Sequence, residues 1–96
     1  MIEIKRIHLK SNCNCGKPQL ILEFNFPLEK EYLRVLTDNN FIESKSYTNL
    51  GILYLEDLNL VAVGPFGSNR LQIKCKNDKC NDSLESLENI LKNIKI

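Results

Sequence analysis

Four cysteines stand in two close pairs near opposite ends of the chain: Cys13 and Cys15 around Asn14, and Cys75 and Cys80 with four residues between them. Thiolates suit soft or borderline cations, zinc above all, which takes four ligands in a tetrahedron with Zn–S near ~2.3 Å. Two ligands one residue apart share a metal only from a turn, and Gly16 and Pro18 follow the first pair with turn-forming residues. The second pair has a ligand spacing common in zinc sites. Four thiolates around a divalent ion leave excess negative charge, which Lys10, Lys17, Lys74, Lys76 and Lys79 would offset.

The expectation is therefore one metal held by Cys13, Cys15, Cys75 and Cys80, with zinc as the ion. An iron–sulfur cluster that passes electrons, or the cluster itself, to a larger complex is the alternative. Two other readings stand beside these. In a dithiol redox protein, neighbouring lysines would favour the thiolates that carry out exchange. In a plain protein-interaction module, Cys75 shares a phase with Leu71 and Ile73 and acts as a small buried hydrophobe.

Other candidates carry less. His8 is the sole histidine, so Ser–His or Cys–His catalysis lacks support, and a strand histidine is the simpler reading. Glu56 and Asp57 form a carboxylate pair, but in an expected turn. The stretch from Gly64 to Arg70 holds two glycines and an arginine without any phosphate-loop pattern, and reads as a hairpin connection. Arg70, Lys74 and Lys76 give one strand a basic outer face, yet the stacking aromatics of single-strand readers are missing there.

These residues need a scaffold. Ninety-six residues, 43% hydrophobic and 26% charged, describe one ordinary domain over 1–96 with a single modest core. A formal net charge of +1 draws the chain neither to nucleic acid nor to an anionic membrane. Apolar runs are far shorter than the ~20 residues of a spanning helix. The N-terminus alternates charge and apolarity rather than forming a leader's apolar core, so a cytoplasmic location is expected.

Residues 2–10 read as a strand whose apolar phase changes, which a bulge at Lys5-Arg6 would reconcile. Residues 20–26 alternate cleanly. Pro27 opens an expected helix carrying Leu28, Tyr32, Leu33, Val35 and Leu36, ended by Asp38-Asn39-Asn40. Four strands follow, at 41–48, 51–56, 59–64 and 69–76. A last helix is expected to start at Asp82, with Glu85 as its capping-box partner and an apolar stripe of Leu84, Leu87, Ile90, Leu91 and Ile94. The order is ββαββββα: an α+β fold, mainly antiparallel, with two helices on one face.

Strand parity in that order sends the Cys13–Cys15 loop and Cys75 to the same end of the sheet, and the loop at Gly64 to the other. The functional expectation is a small cytoplasmic metal-binding accessory protein or subunit, not itself an enzyme. Its partner would be a larger protein rather than nucleic acid or membrane.

Overall fold

The computed structural model describes residues 3–8 and 19–94. Among them run strands β1 (Ile4–His8), β2 (Gln19–Phe24), β3 (Ile42–Glu43), β4 (Ile52–Glu56), β5 (Leu60–Pro65) and β6 (Arg70–Cys75). The helices are α1 (Tyr32–Asp38), α2 (Lys45–Asn49) and α3 (Cys80–Ile94). All strands join one antiparallel sheet in the order β1-β2-β6-β5-β4-β3, and the expected α+β class holds.

A two-residue period builds the sheet's inner face. Leu20, Leu22 and Phe24 alternate along β2, Leu71, Ile73 and Cys75 along β6, Leu60 and Ala62 along β5, and Leu53 and Leu55 along β4. Register sets them side by side: Leu22 opposite Leu71, Ala62 opposite Ile73, Leu60 opposite Cys75. Leu33 and Leu36 of α1 and Leu84, Leu87 and Leu91 of α3 complete the same core. Each fully buried leucine contributes about 1.5–3 kcal/mol relative to exposure.

Four local expectations are corrected. The stretch 41–48 is a strand only at Ile42–Glu43, after which α2 begins. The helix expected from Pro27 starts at Tyr32, because the backbone at Leu28 is committed elsewhere. Leu28 N–H donates to Ser68 O at 2.8 Å, and Gly67 N–H donates to Leu28 O at 2.8 Å. Asp82 does not begin α3 but lies in its first turn, the helix starting at Cys80. The pairing of β1 with β2 is continuous from Ile4 opposite Phe24 to His8 opposite Leu20, with no bulge.

Continuous pairing turns Arg6 to the inner face beside Leu22. There its guanidinium forks onto Glu88 of α3, Nε to Oε2 at 3.1 Å and Nη2 to Oε1 at 2.5 Å, while Nη1 donates to Asn81 Oδ1 at 3.0 Å. Charge-assisted, two-pronged bonds of this kind are the strong ones. They hold Arg6 above its ordinary, already high pKa, and they fasten the edge strand to the helix. At the far end of the sheet, Gly64 lets β5 and β6 approach. A Cβ there would sit 2.6 Å from Arg70 O and 3.3 Å from Leu71 Cδ1.

Candidate dithiol–disulfide site

Cys75 is the last residue of β6 and Cys80 the first of α3. The inward phase of β6 points Cys75 into the core, and the helix that packs over that core returns Cys80 to it. The two sulfurs are joined as a disulfide, with Cα atoms 5.2 Å apart and a sequence separation of 5. That Cα spacing is ordinary for a disulfide. Only 6% of Cys75 and 5% of Cys80 is exposed.

The bond overturns the four-thiolate expectation. A disulfide sulfur is neutral and has given up the charge that makes a thiolate a zinc or iron ligand, so Cys75 and Cys80 leave the ligand set. Among the described residues no group of three or more His, Cys, Asp or Glu side chains is placed to hold a metal ion. The zinc site, its iron–sulfur alternative and the metal-binding role are accordingly withdrawn.

Cys13 and Cys15 lie outside the described residues. What is described is the anchorage of the segment that carries them. The chain leaves β1 at His8 and enters β2 at Gln19, which is paired with Lys74. Since β1 and β6 both run antiparallel to β2, His8 and Cys75 stand at the same end of the sheet, as parity required. One strand separates them, a lateral distance of about 10 Å.

The connection over the disulfide, residues 76–79, is exposed but firmly tied. Asn77 Nδ2 donates to Leu58 O at 3.0 Å and to Asn59 Oδ1 at 3.1 Å, and Asn77 Oδ1 accepts from Lys79 N–H at 2.8 Å. Lys76 N–H donates to Asn59 O at 2.8 Å, and Lys76 Nζ reaches Glu56 Oε2 at 2.7 Å and Asp57 O at 2.9 Å.

Behind these bonds stands Asp57. Its Oδ1 accepts from the N–H groups of Asn59 (2.7 Å) and Leu60 (2.9 Å), and its Oδ2 accepts from the Ser83 hydroxyl at 2.5 Å. Ser83, buried in α3, also accepts from Asn59 Nδ2 at 2.9 Å. The β4–β5 turn, the β6–α3 connection and the first turns of α3 thus form one polar knot beside the sulfurs.

Sequence reasoning treated Asp57 as an ordinary turn acid. Its signal was present: an aspartate two and three residues before backbone donors in a turn is the arrangement of an Asx turn. Ser83 carried no comparable signal. His8 sits exposed at the end of β1. The basic strand face is largely neutralised, Arg70 pairing with Glu23 at 3.1 Å and Lys76 with Glu56. Among the described residues no helix is long and apolar enough to cross a membrane.

No protein-family model matches the chain, and comparison with curated proteins and with solved structures found no match.

Proposed function

We propose that this chain is a single-domain thiol–disulfide protein of the cytoplasm, which accepts two electrons from the dithiol of a partner protein through Cys75 and Cys80. The observation that carries the reading is the bond between the end of β6 and the first residue of α3. In a reducing compartment disulfides are rare, and those that form are mostly transient, catalytic or sensing.

The chemistry balances as follows. A thiolate of the partner attacks Cys75 Sγ; a new sulfur–sulfur bond forms, the Cys75–Cys80 bond breaks, and its electron pair leaves on Cys80 Sγ, which takes a proton. The partner's second thiolate then attacks its own sulfur in the mixed disulfide and expels Cys75, which takes the second proton. The partner ends as a disulfide and the pair as two thiols. Cys80 suits the leaving position, because the N-terminus of a 15-residue helix favours negative charge. In this reading Cys13 and Cys15, which fall between His8 and Gln19 in the sequence, are a second dithiol.

The test is a redox titration: equilibration in buffers of graded potential, alkylation, and mass spectrometry of the segment containing Cys75 and Cys80. A redox-active pair titrates reversibly with a midpoint between about −120 and −270 mV, the range of known exchange proteins. A midpoint below about −300 mV marks a purely structural tie and overturns the proposal.

A further inference from the structure

The sheet has a second, outer face, on which α1 and α3 do not pack. Antiparallel sheets with one solvated face carry polar residues there. Over half of this face the pattern is broken: Ile52 and Tyr54 on β4, Val61 and Val63 on β5 and Ile42 on β3 all point outward. Register puts Tyr54 opposite Val63, and Ile42 and Val61 on either side of Glu56. Ile42 is 66% exposed, and the β4 and β5 residues are half-buried. Tyr47 of α2 stacks on Tyr54 with ring centroids 4.8 Å apart and planes 7° from parallel, and walls one side of the patch. Contiguous apolar surface of this kind marks an interaction site.

Charge on the other side of the patch names the occupant. Along β6 the outward residues are Arg70, Gln72 and Lys74. Arg70 is paired with Glu23, and just beyond the strand Lys76 is paired with Glu56. Among the described residues Lys74, beside Val61 in the register, has no ionic partner. The patch is therefore bounded by an unneutralised ammonium group. A second copy apposed face to face does not fit it well, since the outward carboxylates of the copy's strands, Glu23 and Glu56, are already taken. Nucleic acid would need several free cations, and among the described residues the outward side chains of β5 and β6 offer Lys74 alone.

We infer that the outer face of β4 and β5 receives an amphipathic helix of a partner protein, its apolar stripe on Tyr54, Val61 and Val63 and a carboxylate on the flank facing Lys74. The dimensions agree. Strands of 5 and 6 residues span about 17–20 Å, and a helix of about 12 residues rises about 18 Å. This surface is remote in chemistry from the disulfide, and the inference stands without it.

The experiment uses the full chain and two synthetic 14-residue helical peptides with the same leucine stripe, one flanked by glutamates and the other by lysines. Binding is read by fluorescence anisotropy and oligomeric state by sedimentation equilibrium. The glutamate peptide binds the wild type at least tenfold more tightly than the lysine peptide. Lys74→Glu, an exposed change that leaves the core untouched, reverses that preference, and Val63→Lys abolishes binding while circular dichroism shows a folded chain. Equal binding of the two peptides, binding of neither, or a wild-type dimer that Val63→Lys dissociates would each overturn the inference.

Discussion

Reducing the Cys75–Cys80 bond destabilises the fold by an amount that the loop length sets. The bond closes a loop with a sequence separation of 5. In the chain-entropy account a closure that short removes about 2 kcal/mol of freedom from the unfolded state. For a domain of this size that corresponds to a fall in Tm of roughly 10 °C. The assay is thermal unfolding by circular dichroism, with and without a phosphine reductant, on the wild type, on Cys75→Ala/Cys80→Ala and on Cys13→Ser/Cys15→Ser. The wild type and the 13/15 variant lose about the same Tm on reduction, whereas the 75/80 variant starts near the reduced value and does not respond. A wild type indifferent to reductant, or a 75/80 variant that still responds, refutes the reasoning, because the stabilising bond would then be absent or elsewhere.

Other consequences follow from the tied loop, the forked arginine and the tight strand pair. Asn77→Ala removes the bonds to Leu58 O, Asn59 Oδ1 and Lys79 N–H. The loop over the buried sulfurs opens more often, and dithiothreitol reduces the pair severalfold faster under native conditions, measured by quenched alkylation. Arg6→Met removes the fork from a part-buried Glu88 carboxylate whose side chain is 13% exposed and costs about 1–2 kcal/mol. In Arg6→Met/Glu88→Leu most of that loss returns, a double-mutant cycle read by urea unfolding. Gly64→Ala forces a Cβ to 2.6 Å from the backbone oxygen of Arg70. It costs about 1–3 kcal/mol, seen as a lower urea midpoint at unchanged m-value.

Periodicity made much of the scaffold readable. In β6 apolar and polar side chains alternate strictly and in β2 nearly so, β4 and β5 are short apolar runs bounded by turn residues, and α3 carries Leu84, Leu87 and Leu91 at helical spacing, so each of these elements announced itself within a residue or two. Arg6 did not. A charged residue at an inward position looks like a change of phase, and only the three-dimensional approach of Glu88 shows why the strand continues through it. The first helix was placed too early because Pro27 and its acidic neighbours are sound helix-start signals. They lose to two backbone bonds between Leu28 and the β5–β6 connection, which no local pattern encodes.

At the candidate site strand parity put the end of β1 and Cys75 at one end of the sheet, where His8 and Cys75 stand. The sequence could not choose the chemistry. A spacing of four residues suits a metal loop and a disulfide equally, and the expectation of a reducing compartment tilted the reading towards thiolates. What decides is that β6 and α3 bring the Cα atoms to 5.2 Å.

Whether Cys75 and Cys80 are bonded to each other is tested most directly by peptide mapping of unreduced protein, alkylated at acid pH to block exchange and then digested with trypsin. Lys74, Lys76 and Lys79 place cleavage sites around both cysteines, so the bond alone holds the Cys75-Lys76 dipeptide to the peptide that begins at Cys80. The account predicts that linked species, two mass units lighter than its reduced parts and absent after reduction. Alkylated Cys75 and Cys80, or either one linked instead to Cys13 or Cys15, would contradict it.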